Sequence, residues 1–238
     1  MATIFTRLRY ELRIIGWLNL LVPVFAVVGF VALVVLVAWD DLHNGVANAS
    51  VNADNIRYLR RLPEYMLPLA GSIVASALTL ADPVCELHLT LPRAYRATAV
   101  RRMGVLTLWL AVLGVAIVEV IRLFGFWHLP WVFPQDQLTW AAPTLALVAL
   151  GASLALLLRN RAASSAILGV VWIGEILFGG FLQQYDATKY TYLFLSSEVP
   201  SAGYWLGNRL ALMGVAVVLL AMMWALLGRN EALLGNES

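Results

Sequence analysis

Two carboxylates, Glu119 and Glu175, stand inside long apolar runs, and their position makes them the first candidates for chemistry. Glu119 stands close to the outer end of its run, whereas Glu175 stands well within its own, where a charged carboxylate costs at least about 2.5 kcal/mol, so Glu175 must face protein or water or be protonated. Glu119 precedes Arg122 by three residues, a spacing that permits an ion pair on one helical face. Glu175 has two open interpretations: a cavity-lining residue that meets a small molecule or a second copy of the chain, or a hydrogen-bonded packing residue.

Serine-based catalysis lacks a complete motif. Gly151-Ala152-Ser153 begins like the sharp turn that presents a nucleophilic serine, but Ala155 stands where the second glycine belongs. No histidine follows His128 to act as the base of a triad. Ser153 is therefore interpreted as a helix-packing residue, and we predict that the chain is not an enzyme.

The sequence also lacks the residue patterns of a metal site and of a nucleotide-binding P-loop. His43, His88 and His128 fall in three different predicted loops with no second ligand at metal-binding spacing, so no metal site is predicted. Lys189 is the only lysine and follows Thr188, whereas a phosphate-binding P-loop needs the order Gly-Lys-Ser/Thr. The chain therefore cannot supply its own P-loop ATPase, and we predict no cofactor bound to it.

Composition places the chain in a membrane. Of 238 residues, 61% are hydrophobic and 13% are charged, whereas soluble domains are about half apolar and a quarter charged. With Cys85 as the only cysteine, neither an internal disulfide nor a two-cysteine metal site can form. Nothing in the charge distribution supports binding of nucleic acid.

The apolar runs predict an all-α membrane protein with six transmembrane helices and no separate soluble domain. Residues 1–16 place apolar side chains on one helical face and arginines on another, which predicts an interfacial amphipathic helix. Residues 40–62 lack apolar periodicity and are predicted to form a polar loop. The six spans are predicted at about residues 17–39, 63–81, 103–121, 138–158, 162–182 and 205–227.

The stretch that joins the second and third spans, residues 82–102, combines leucines, acidic groups and four arginines. The arginines favour a cytoplasmic position for it. Pro92 fixes its own φ and disfavours helix at Leu91, so we predict a break at Leu91-Pro92 and a basic helix that starts there and continues into the third span. An apolar and acidic surface held below a membrane is suited to contact a partner.

That order of residues resembles the corresponding loop of ABC exporter permeases with the type V fold. In that family a glutamate, a leucine-rich turn, a proline and a basic helix follow one another, and here Glu86-Leu87-His88-Leu89-Thr90-Leu91-Pro92 occupies those places. The resemblance implies a coupling helix that binds a groove of a separate ATPase subunit. The residues implied to make that contact are Glu86, Leu87, Leu89, Leu91, Pro92 and Arg93.

The same resemblance implies the rest of the assembly. It predicts a permease that works as a homo- or heterodimer with two ATPase subunits, which bind the ATP and Mg, and it predicts short re-entrant helices between the last two spans. The expected cargo is apolar or amphipathic, such as a drug, an antibiotic peptide or a lipid, because the spans carry few charges. Glu175 and Glu119 are the candidates for the translocation pathway or for packing.

Arginine placement predicts the orientation. With both termini and the second and fourth loops in the cytoplasm, ten arginines lie inside and six basic residues lie outside or near the outer face. This predicts a multi-pass protein of the inner membrane. The alternative function is an ion- or proton-coupled secondary transporter that uses Glu119 and Glu175, although such carriers commonly show internal repeats, which this sequence lacks.

Overall fold

The computed structural model describes residues 16–45, 48–80, 92–125 and 135–228, and within these ranges the regular structure is helical, with no strand. The interfacial helix predicted for residues 1–16 lies outside this part of the chain apart from Gly16, as do residues 82–91 and Arg229. The helices are α1 (Trp17–His43), α2 (Asn48–Leu80), α3 (Pro92–Leu123), a 3₁₀ turn (Gln135–Gln137), α4 (Leu138–Leu158), α5 (Arg161–Leu177), α6 (Gly179–Leu182), α7 (Leu195–Glu198) and α8 (Trp205–Leu226).

Four of these helices are long and apolar enough to cross a membrane, which is consistent with the predicted membrane protein. They are α1, residues Ala97–Leu123 of α3, α4 and α8. Few side chains of α1 and α8 are buried, and many of their exposed side chains are apolar, whereas most side chains of α4 are buried by neighbouring helices. The exposed apolar side chains therefore belong to helices that lipid could surround.

The first half of α2 differs from the polar loop predicted for residues 40–62. The helix starts at Asn48 and runs for 33 residues, through Pro63 and Pro68. Val51 and Leu62 are buried, and α2 packs along α1. Tertiary packing thus stabilises a helix where the sequence shows no apolar periodicity.

Pro92 begins α3, as predicted, and the helix continues without interruption to Leu123. The basic stretch and the third span are therefore one helix of 32 residues. Arg102 on this helix is 4% exposed, so this arginine is packed within the protein.

The connection between α4 and α5 is two residues long, and the two helices pack as the neighbours that its length predicts. Arg159 ends α4 in the left-handed conformation, with φ of 50°. Asn160 then caps α5, because its side-chain oxygen accepts a hydrogen bond from the Ala163 amide at 3.1 Å.

The fifth span was predicted to reach residue 182, but α5 ends at Leu177 and the chain bends at Phe178 before the short α6. The chain is closely packed just after this break. A Cβ atom added to Gly179 would lie 2.5 Å from the Tyr192 hydroxyl oxygen, so the chain approaches Tyr192 at a point where a side chain does not fit.

Helices α2 and α4 form the centre of the bundle. An added Cβ at Gly151 of α4 would lie 2.5 Å from the Ser72 carbonyl oxygen of α2, so the two backbones approach closely. Ser153 donates a hydrogen bond to the Leu219 carbonyl at 3.0 Å and joins α4 to α8, as a helix-packing residue does. The core has two parts. One lies between α2, α3, α4 and α8, and the other lies where residues 192–195 pack against α2, α4, α5 and α8.

Candidate functional site

The residues predicted to contact an ATPase are only partly within the described ranges. Glu86, Leu87, Leu89 and Leu91 lie outside them, and Pro92 with Arg93 forms the first turn of α3. The stretch implied to couple to a partner therefore leads directly into a long helix.

Glu119 and Arg122 form the ion pair that their spacing predicted. A carboxylate oxygen of Glu119 lies 2.7 Å from Nη2 and 2.8 Å from Nε of Arg122. Both side chains are about one-third or more exposed, at 33% and 43%. Such an exposed pair contributes little to stability. Along the chain, Glu119 is distant from Glu64, Glu175 and Arg209, which make the other polar contacts.

Glu175 on α5 accepts a hydrogen bond from the backbone amide of Leu193 at 3.1 Å. Its side chain is partly exposed rather than buried. Glu175 therefore holds the chain that joins α5 to α8, which is named here the connector and comprises residues 183–204. This contact agrees with the packing interpretation and leaves one carboxylate oxygen for a further contact.

The described residues include a fully buried ion pair that the sequence analysis did not single out. Glu64 of α2 and Arg209 of α8 are both 0% exposed and in direct contact. Glu64 also accepts hydrogen bonds from the Ser196 amide at 3.0 Å, the Ser197 amide at 2.7 Å and the Ser197 hydroxyl. One carboxylate thus receives four donors, and three of them belong to the connector.

Arg209 also contacts the connector. Its Nη1 donates to the Leu193 carbonyl at 3.1 Å and its Nη2 to the Ser196 hydroxyl at 2.6 Å. Trp205, one turn earlier on α8, donates to the same hydroxyl at 2.7 Å. Removing one member of such a buried pair costs about 3–5 kcal/mol, because the other charge is left without compensation.

A second ion pair lies beside the first, toward the surface. Arg61 and Glu198 approach to 2.8 Å, with side-chain exposures of 19% and 30%. The Tyr65 hydroxyl donates to the same glutamate at 3.1 Å. Arg61, Glu64 and Tyr65 occupy adjacent turns of α2, so one short stretch of that helix binds the connector at residues 196–198.

Asn208 binds an earlier part of the connector. Its side-chain amide donates to the carbonyls of Lys189 and Tyr192, both at 2.9 Å. Burial raises the pKa of the Tyr192 phenol. The outer surface of the connector carries a separate local pair, in which Lys189 lies 2.5 Å from Asp186 and 5.2 Å from the Tyr190 ring centroid.

Aromatic side chains fill the space below these polar contacts. The rings of Tyr65 and Phe194 stack at 4.1 Å, and the Trp172 ring meets Phe194 edge-on at 6.1 Å. Trp172 also donates from its indole nitrogen to the Tyr65 carbonyl at 3.0 Å. Residue 194 of the connector is thereby enclosed by α2 and α5.

Sequence reasoning missed this cluster although two signals were present. Glu64 stands at the start of the second apolar run, and Arg209 stands near the start of the sixth. With the topology predicted above, both positions lie at the same face of the membrane. Opposite charges at the same depth in two spans are a reason to expect a pair.

The cluster can hold a segment in place, but its chemistry is not that of a metal centre. No group of three His, Cys, Asp or Glu residues among residues 16–45, 48–80, 92–125 and 135–228 could bind a metal ion. Comparison of the chain with protein-family models, curated proteins and solved structures finds no match.

Proposed function

We propose that this chain is the membrane subunit of an ATP-driven ABC exporter, in which it forms the translocation pathway and couples to a separate ATPase. The observation that carries the proposal is the stretch at residues 82–102. Its family-like part, residues 86–92, leads directly into α3, whose residues Ala97–Leu123 are apolar enough to cross a membrane. From Pro92 onward the basic stretch and the span are one helix, so motion of an ATPase bound at this stretch would act on the span through α3.

The sequence supports a separate motor. Because Lys189 is the only lysine and is not part of a Gly-Lys-Ser/Thr sequence, nucleotide hydrolysis by a P-loop would need another chain. In this proposal a pair of permeases and a pair of ATPases form the working assembly, with ATP and Mg bound by the ATPases. The cargo is apolar or amphipathic.

The proposal includes six spans of the type V arrangement with both termini in the cytoplasm of an inner membrane. Four helices are long and apolar enough to be spans, and the proposal assigns the other two spans to α2 and α5. α5 has 17 residues and is about 25 Å long, which is short for a core of about 30 Å unless α6 completes the crossing. α2 is long enough on its own, and its many buried side chains suit an inner position.

The test replaces two residues of the implied contact. Glu86→Lys reverses a charge and Leu89→Asp puts a carboxylate on an apolar surface. We expect either to weaken copurification of a separate P-loop ATPase with this chain by about 30-fold, the effect of losing one central contact of about 2 kcal/mol. Membrane insertion should be unchanged, because both positions lie between spans. The matched controls are Asp54→Lys and Leu42→Asp, which change exposed residues at the other end of α1 and α2.

Transport provides the second measurement. Export that requires ATP and the partner, and that fails in the Glu86 and Leu89 variants but not in the controls, supports the proposal. Normal ATP-dependent export by Leu89→Asp would refute the coupling role. Transport by the purified chain alone under a proton gradient would instead establish the secondary carrier that uses Glu119 and Glu175.

A further inference from the structure

The connector at residues 183–204 has little regular structure of its own. Within it, α7 is a single turn of four residues, and the remaining backbone forms turns. Glycines stand at both of its ends. Gly180 lies in the four-residue helix α6 that precedes the connector, Gly203 lies within the connector's last turn, and a Cβ added at either would meet nothing within 4 Å. Both ends therefore combine backbone freedom with open space, which are the properties of hinges.

One face of the connector is apolar and closely packed. Residues Tyr192, Leu193, Phe194 and Leu195 are 0–4% exposed and pack on side chains of α2, α4, α5 and α8. The opposite face is open, and the Asp186 side chain is 93% exposed. The connector is thus a cover with an apolar underside that lies over the end of the bundle.

Side chains of the long helices hold this cover in place. Glu64 binds the amides of Ser196 and Ser197, and Arg209 binds the Leu193 carbonyl and the Ser196 hydroxyl. Because α7 is a single turn, the amides of Ser196 and Ser197 at its start have no partner within the helix, and Glu64 accepts their hydrogen bonds instead. The two charged groups neutralise each other, so both can remain buried.

We propose that the connector is a lid that opens as a unit about its glycine ends, and that Glu64 and Arg209 are the latch that holds it closed. A buried ion pair adds little net stability compared with an apolar pair of the same volume. When the connector moves away, however, Glu64 and Arg209 lose all their hydrogen bonds to it together. Opening hydrates both charges and uncovers the apolar surface around Tyr65 and Trp172. The inference goes beyond the proposed function, and its test needs no ATPase and no cargo.

Backbone hydrogen exchange of the full chain in membranes or nanodiscs measures the opening directly. In Glu64→Gln the ion pair is lost, and we expect exchange in a peptide covering residues 192–198 to rise about 100-fold or more. Ser197→Ala removes one hydrogen bond to a charged group without stranding a buried charge, and we expect a rise of about tenfold. A peptide from α4 covering residues 146–156 should exchange as in the parent chain.

Two comparisons make the result decisive. Glu119→Gln breaks an exposed ion pair elsewhere and should leave residues 192–198 protected. The exchanged pair Glu64→Arg with Arg209→Glu should not restore protection, because an arginine at position 64 cannot accept from the two serine amides.

Unchanged exchange at 192–198 in both Glu64→Gln and Ser197→Ala would overturn the proposal. So would an equal rise in the α4 peptide, because the pair would then support the whole bundle rather than one lid. If Glu64→Gln does not accumulate, Ser197→Ala alone decides between these outcomes.

Discussion

The contact between α2 and α4 makes a sharp prediction for Gly151→Ala. The new methyl group would lie 2.5 Å from the Ser72 carbonyl oxygen, 3.2 Å from the Ser72 carbonyl carbon and 3.3 Å from a methyl group of Leu168. The first of these neighbours is backbone and cannot rotate away. To restore an ordinary contact of about 3.4 Å, the two helices must separate by almost 1 Å.

A separation of that size weakens packing along the whole interface. A gap of about 0.5–1 Å forfeits a quarter to a half of each dispersion contact it affects. Overpacking of a well-filled core costs about 1–3 kcal/mol, and the gain in helix propensity from glycine to alanine, about 1 kcal/mol, offsets part of it. We therefore expect Gly151→Ala to lower the free energy of unfolding by up to about 2 kcal/mol.

The control is Gly169→Ala on α5, where an added Cβ would meet nothing within 4 Å. This variant gains helix propensity without a clash and should be as stable as the parent chain or more stable. Thermal unfolding of the purified chain in one detergent, followed by circular dichroism, compares the two. An unfolding midpoint for Gly151→Ala equal to that of Gly169→Ala would refute the close approach of α2 and α4.

Two further predictions concern titratable groups. Glu175→Gln should accumulate in the membrane as the parent chain does, because the amide oxygen can still accept the hydrogen bond from the Leu193 amide. Glu175→Leu cannot accept it, so hydrogen exchange at residue 193 should rise. Equal exchange in the two variants would show that this hydrogen bond does not hold the connector. The hydrogen bond to Asp186 raises the pKa of Lys189, so their contact is fully present below the ordinary lysine pKa and is lost as pH rises through the raised value. Since Lys189 is the only lysine, acylation of its amine against pH reports this directly, and Asp186→Asn should move the midpoint to lower pH; an unmoved midpoint would contradict the pair.

Local features of the fold followed from the sequence. Pro92 fixed the start of α3 because its ring restricts its own φ and that of the residue before it. Glu119 and Arg122 formed their pair because three residues bring two side chains to one helical face. The short turn at Arg159 and Asn160 made α4 and α5 neighbours. Each of these depends on residues close together in the chain.

The features that were missed depend on residues far apart. Glu64 and Arg209 are separated by 145 residues, and only the packing of α2 and α8 about α4 brings them together. The extension of α2 to Asn48 is stabilised by contact with α1, which periodicity within residues 40–62 does not show. Just after the end of α5 at Leu177, Gly179 packs against Tyr192 of the connector, a contact that the apolar run does not show. The predicted coupling residues Glu86 to Leu91 remain a prediction.

The length of α2 gives the Glu64 contact a mechanical sensitivity. From Leu80 to Glu64 the helix continues through Pro68 over 16 residues, or about 24 Å. A tilt of about 5° about the Leu80 end would carry the Glu64 carboxylate sideways by roughly 2 Å over that distance. The bonds from Glu64 to the two serine amides are 2.7 and 3.0 Å long, and a hydrogen bond is lost by about 3.6 Å. A small tilt of α2 at its Leu80 end is therefore enough to break the hydrogen bonds that Glu64 makes to the connector.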